Sequence, residues 1–160
     1  IKHGDTSLKQ EWSASLWIWN GMPDDSRPML GWFLSRGPDN GLGLNGIHAG
    51  IQGSNGVSGT LVLQHGEQIA TAPNGVKAPR WTWTHVCIVK DKSMLRGYLN
   101  GELQTQLPLT ENAPDLSFPW FFGGRSDNNS NWEGRLDEIS IFPRALQAAE
   151  IKSLLPNLAR

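Results

Sequence analysis

Two adjacent carboxylates, Asp137 and Glu138, stand in the middle of residues 132–142, whose pattern predicts a β-strand. Neighbouring strand residues face opposite sides of a sheet, so this pair is not expected to act as acid and base on one face. One of the two should point inward, where an unpaired carboxylate is costly. It then needs backbone N–H groups, Arg125 or Arg135, or a hard cation such as Ca²⁺. A purely hydrogen-bonding role and a structural calcium ion bound by Asp137 are both open.

A polar segment at residues 126–132, Ser-Asp-Asn-Asn-Ser-Asn-Trp, precedes the acidic pair. Sugar recognition combines directional polar groups with a flat apolar surface. Arg125, Asp127, Asn131 and Trp132 are therefore candidate ligand-binding residues. The alternative is a solvated connection in which the Asn and Asp residues accept left-handed turns.

Eight tryptophans in 160 residues can serve as core or as sugar-stacking surfaces. Residues 12–19 alternate with the two-residue period of a strand. The positions predicted to face the core are Trp12, Ala14, Leu16 and Ile18. Trp17 and Trp19 then face the other way, and with Trp32 they are candidates for a ligand-binding surface.

The carboxylates, His85 and Cys87 do not show the spacing or surroundings that catalytic residues need. Glycoside hydrolysis normally needs two carboxyl groups placed across the scissile bond, and Glu133 and Asp137 are spaced four apart. His85 and Cys87 lie in one apolar run, which predicts a hydrogen-bonded core histidine and a buried, inert thiol. The chain is therefore predicted not to be an enzyme.

Charge and hydropathy argue against nucleic-acid binding and against a membrane-spanning segment. The net charge is −1 with no basic stripe, so nucleic acid is not a predicted partner. No apolar run approaches the ~20 residues of a membrane-spanning helix, so no membrane span is predicted.

The elements that must position these side chains are mostly strands. Apolar alternation and turn residues predict strands at residues 12–19, 29–35, 43–51, 61–65, 81–89, 94–99, 102–107, 116–124 and 132–142, and a short helix at 146–155. Asn100-Gly101 predicts a type I′ hairpin turn, because both central positions need positive φ. Residues 1–160 are predicted to form one domain, excised from a larger protein.

Three blocks of the chain resemble one family. They are the aromatic-Ser-x-x-x-Trp pattern at residues 12–19, the Trp-x-His-Val and Tyr-x-Asn-Gly patterns at 83–86 and 98–101, and the Gly-Gly-Arg, Gly-x-x-Asp-Glu and Ala-Leu-x-x-x-Glu-Ile ending at 123–151. In order and spacing they are similar to the LamG-like jelly rolls of the concanavalin A-like lectin/glucanase superfamily. The Glu-x-Asp-x-x-Glu strand of that superfamily's hydrolase branch is absent.

The resemblance implies an all-β fold: a two-sheet antiparallel β-sandwich, or jelly roll, with a short C-terminal helix. It implies a noncatalytic carbohydrate-binding module that holds a polysaccharide or glycan on a concave face or loop rim, outside the cell, on its surface or in the periplasm. Many members carry structural calcium. The alternatives are a protein-interaction or spacer module with a protein partner and no sugar affinity, and a degenerate glucanase-like hydrolase.

Overall fold

The computed structural model describes residues 11–37, 46–109 and 119–155. The strands are β1 (Trp12–Asn20), β2 (Met29–Arg36), β3 (Ile47–Gln52), β4 (Leu61–His65), β5 (Gln68–Thr71), β6 (Trp83–Lys90), β7 (Met94–Leu99), β8 (Glu102–Pro108), β9 (Trp120–Phe122) and β10 (Gly134–Phe142), and the helix is α1 (Ala148–Ser153). No helix in these ranges is long and apolar enough to cross a membrane.

The strands form two five-stranded antiparallel sheets. Sheet A has the order β10-β1-β6-β7-β8, and sheet B has the order β5-β4-β3-β2-β9. The two sheets pack face to face around one apolar core. The predicted all-β sandwich with a C-terminal helix is confirmed.

Strand β1 supplies one wall of the core, as its alternation predicts. The side chains of Trp12, Ala14, Leu16 and Ile18 are fully buried. Trp12 meets the Trp120 ring of sheet B edge-on, with centroids 4.7 Å apart. The other side chains of β1 therefore lie on the outer face of sheet A.

Part of that outer face is covered by α1 and the segment before it. Cys87, Val89 and Tyr98 pack there in a second apolar cluster with Leu146 and Ile151. The buried Cys87 thiol agrees with its prediction.

A buried hydroxyl on β1 fastens the covering segment to the sheet. Ser13 Oγ donates a hydrogen bond to the carbonyl of Arg144 and accepts one from the N–H of Leu146, both at 2.9 Å. The segment thus covers one end of the outer face and leaves the end near Trp17 and Trp19 open.

The structure agrees with some of the local predictions and differs from others. Asn100 and Gly101 have φ of 46° and 80°, as the type I′ prediction requires. Strand β5 was not predicted, because its side chains are mostly exposed and show no apolar alternation. The first residues of the strands predicted at 43–51 and 116–124 lie outside the described residues.

Candidate functional site

The open end of the outer face of sheet A carries a row of aromatic and cationic side chains. Trp19 of β1 pairs with Trp83 of β6 on one side and with Arg135 of β10 on the other. The Arg135 guanidinium lies 5.0 Å from the centre of the Trp19 ring. Trp83 is 39% exposed. Two indoles from neighbouring strands are therefore presented side by side.

The next row of this face pairs a tryptophan with a buried histidine of the neighbouring strand. Trp17 pairs with His85 of β6 and with Asp137 of β10. The Trp17 and His85 rings meet edge-on with centroids 5.3 Å apart. His85 is 1% exposed and its Nε2 lies 2.8 Å from Ser15 Oγ, which confirms the predicted hydrogen-bonded core histidine. Burial lowers the pKa of His85, so its neutral form is favoured.

A β-bulge places both acidic residues on the surface. The register of β1 and β10 shifts between Ser15 and Trp17, opposite Glu138. Glu138 has φ of +49°, and its N–H donates a 2.8 Å hydrogen bond to Asp137 Oδ1. Both side chains are exposed. The expectation that one of them points inward is wrong, because strict strand alternation does not hold across a bulge.

These side chains surround a cavity of about 540 Å³. Its lining residues are Trp17, Trp83, Asp137, Glu138, Ser153, Leu154 and Leu155. Sheet A supplies the aromatic floor, the bulge supplies the carboxylates, and the C-terminal turn of α1 supplies a polar and apolar wall. Aromatic surface with a few convergent polar groups is the composition typical of a small-ligand site.

Three of the other predicted ligand residues, Trp32, Arg125 and Asp127, lie on the opposite side of the molecule, at the outer face of sheet B. The Arg125 guanidinium donates two hydrogen bonds to the Asp127 carboxylate, Nε to Oδ1 at 3.1 Å and Nη2 to Oδ2 at 2.6 Å. It also lies 5.7 Å from the Trp32 ring centre. Trp32 is only 6% exposed, so it offers no stacking face.

The Arg125–Asp127 pair is largely buried, and its charges satisfy each other. Burial by itself raises the pKa of Asp127, but the hydrogen bonds from Arg125 and from the N–H of Asn129 outweigh it and hold the pKa below its usual value. The arrangement stabilises the loop and uses the polar groups that a sugar would need.

The end of the polar segment is also part of the protein's own packing. Trp132 is 8% exposed and belongs to the core, where its ring meets Phe33 edge-on at 6.0 Å. Asn131 Oδ1 accepts the N–H of Arg125 at 3.4 Å, and its carbonyl accepts the Arg27 guanidinium at 2.6 Å.

The predicted ligand set is thus split between two opposite faces. Trp17 and Trp19 lie beside the cavity, together with Asp137, the predicted calcium ligand. The other predicted ligand-binding residues do not join them: Trp32, Arg125, Asp127, Asn131 and Trp132. Trp32 and Trp132 are corrected from surface to buried side chains, because the chain after β9 returns against β2, where the N–H of Trp32 donates to the carbonyl of Ser130 at 2.9 Å.

A calcium ion at Asp137 would need more oxygen ligands than the carboxylates of Asp137 and Glu138 supply. Calcium takes six to eight oxygen ligands, and the described ranges contain no group of three or more His, Cys, Asp or Glu side chains that could hold a metal. Calcium binding by Asp137 therefore stays a prediction.

Sequence reasoning missed Trp83 as a site residue, and it did not expect Asp137 and Glu138 to face the same surface. Trp83 has the same strand parity as His85, so the pairing with β1 would have placed it beside Trp19. The bulge that turns Glu138 outward could not be predicted from the sequence, because no glycine occupies the position that has positive φ.

Comparison with known proteins identifies the family and the fold. Residues 1–152 match the family model of the concanavalin A-like lectin/glucanases superfamily. No curated protein sequence matches the chain.

Several solved structures have a similar fold. Domain 4 of AbnA, a GH43 extracellular arabinanase from Geobacillus stearothermophilus in complex with arabinotriose, is 18% identical with a TM-score of 0.65, over 96% of this chain and 71% of that one. The CBM40 of the Ruminococcus gnavus IT-sialidase, bound to α2,3 sialyllactose, is 16% identical with a TM-score of 0.66, over 92% and 84%.

The binding domain of botulinum neurotoxin DC, in complex with rat synaptotagmin II, is 17% identical with a TM-score of 0.62, over 93% of this chain and 36% of that one. At these identities the likeness shows the fold alone. Because the family match covers residues 1–152 of 160, the chain belongs to the concanavalin A-like lectin/glucanase superfamily.

Proposed function

We propose that this domain is a noncatalytic glycan-binding module whose site is the cavity on the outer face of sheet A. One observation carries the proposal: partly exposed indoles of Trp17 and Trp83 line an open cavity beside the carboxylates of Asp137 and Glu138. An indole face suits the apolar C–H face of a pyranose, and the carboxylates accept hydrogen bonds from hydroxyl groups.

The packing of Trp17 and the placement of the two carboxylates also favour recognition over catalysis. The Trp17 ring packs edge-on against the buried His85 of the neighbouring strand, so it is preorganised and loses little side-chain freedom on binding. Both carboxylates come from adjacent residues of one strand, whereas glycosidases place their two carboxyl groups on either side of the scissile bond.

The relatives offer analogies in the same direction. Two of the similar structures, the arabinanase domain and the CBM40, are described with an oligosaccharide bound. By analogy we propose a glycan or polysaccharide partner and a place outside the cell, on its surface or in the periplasm.

A protein-interaction module is the second candidate. Apolar side chains are exposed both on the cavity wall, at Leu154, and outside the cavity, at Trp81, which is 63% exposed with the Arg80 guanidinium 4.2 Å from its ring centre. The similar neurotoxin domain is described with a protein partner. A protein ligand would use the same surface but would show no affinity for isolated saccharides.

A glycan array followed by affinity electrophoresis on the best polysaccharide tests the proposal. We expect retention for the unmodified domain and for Trp83→Phe, and weakened retention for Trp83→Ala. Trp81→Ala is the matched control, because Trp81 is exposed but does not line the cavity. Absence of any saccharide binding, or equal retention of Trp83→Ala and Trp81→Ala, would reject the site.

A further inference from the structure

The charge of the cavity selects among saccharides. Among the described residues, neither Asp137 nor Glu138 forms an ion pair within 4.0 Å. Apart from the hydrogen bond that Asp137 Oδ1 accepts from the N–H of Glu138, their carboxylate oxygens are available to a ligand, and they lie beside the Trp17 and Trp83 rings. Carboxylates and indole faces share one preference, since both attract cations.

Two neighbouring indoles already form cation–π contacts with arginine side chains of the protein. Arg135 lies over Trp19 at 5.0 Å, and Arg80 lies over Trp81 at 4.2 Å. No described basic side chain lines the cavity itself. A cation that contacts the carboxylates and indoles of the cavity would therefore belong to the ligand.

We propose that the cavity binds an amino sugar with a free ammonium group, in preference to neutral or acidic saccharides; this inference rests on the proposed glycan-binding function. The sugar ring would cover an indole while its ammonium group donates to the carboxylates of Asp137 and Glu138. A neutral saccharide would leave those charges partly desolvated without a counter-charge. An acidic saccharide would meet like-charge repulsion.

Isothermal titration calorimetry in mildly acidic, chelator-containing buffer tests this preference. The probes are oligomers of equal length of β-1,4-linked glucosamine, of N-acetylglucosamine and of galacturonic acid. We expect glucosamine oligomers to bind about tenfold or more tightly than the N-acetylated ones, as a charge-assisted contact implies. Added salt should narrow the difference.

Isosteric amides identify the groups responsible. Asp137→Asn combined with Glu138→Gln should remove the preference for the glucosamine oligomer, so that the glucosamine and N-acetylglucosamine oligomers bind this variant within about threefold of each other. Glu67→Gln is the matched control, because it removes an exposed carboxylate from the β4–β5 turn in sheet B.

The outcomes separate this inference from the proposed function. Equal affinity for glucosamine and N-acetylglucosamine oligomers, or tighter binding of galacturonic acid oligomers, overturns the ammonium preference and leaves glycan binding standing. A preference that persists in the double amide variant overturns the assignment to Asp137 and Glu138. Binding of lysine-rich peptides without any saccharide binding rejects both the inference and the glycan-binding function.

Discussion

Replacement of Glu138 by glycine is expected to stabilise the protein while it weakens the site. Glu138 has φ of +49° at the bulge of β10, a conformation that glycine adopts freely. Its exposed side chain forms no hydrogen bond or ion pair among the described residues, and its backbone N–H bond to Asp137 Oδ1 survives the substitution.

The size of the effect follows from two opposing contributions. A left-handed conformation costs an L-residue about 1–2 kcal/mol. Glycine adds about 0.5–1 kcal/mol of conformational entropy cost on folding. The net gain in unfolding free energy is about 1 kcal/mol, which for a domain of this size raises the melting temperature by about 2–4 °C.

Urea denaturation followed by tryptophan fluorescence measures the change, with an unchanged m-value as the check on two-state unfolding. Ser140→Gly is the matched control in the same strand, because Ser140 is exposed and has no positive φ. It should lower the unfolding free energy by about 0.5–1 kcal/mol. If Glu138→Gly destabilises as much as Ser140→Gly, the bulge geometry on which the site depends is refuted.

Three further predictions concern other parts of the molecule. Asp127→Asn should cost about 2 kcal/mol of unfolding free energy at neutral pH, because the largely buried guanidinium of Arg125 loses its counter-charge. Since the pKa of Asp127 is lowered on folding, the difference from the unmodified protein should shrink as the pH falls below the usual Asp value of about 3.9. A pH-independent difference in urea titrations would contradict this. Burial raises the pKa of Cys87 to about 12, so dithionitrobenzoate should label it only after unfolding, and rapid labelling of the native protein would show that the outer face near α1 is open. If Asp137 binds calcium, the ion at a hundred times its Kd should stabilise the protein by about 2.7 kcal/mol and Asp137→Asn should abolish the effect, whereas a melting temperature unchanged by calcium or chelator would discard the metal.

Much of the fold could be predicted because its signals are local and repeated. The alternation of β1 places Leu16 in the core and Trp17 outside, and the structure agrees. The Asn100-Gly101 hairpin follows from the φ values that only a few residue types tolerate. Both features depend on residues within one strand or turn.

The site could be predicted only in part, because it depends on register and on long-range packing. Nothing local distinguishes Trp17, which stays partly exposed, from Trp132, which the returning chain buries against Phe33. The bulge at Glu138 opposes the local preference of a glutamate, so alternation alone placed the acidic pair wrongly. The helix that forms the cavity wall was predicted, but not the face on which it docks.

The central claim is that the cavity on sheet A, and not the polar loop near sheet B, receives the ligand. The indole N–H signals of the eight tryptophans in a ¹H–¹⁵N NMR spectrum test it directly during titration with the saccharide selected on the array. We expect the signals of Trp17 and Trp83 to shift with saturation, and those of Trp32 and Trp132 to stay in place. Shifts confined to Trp32 and Trp132 would contradict the account.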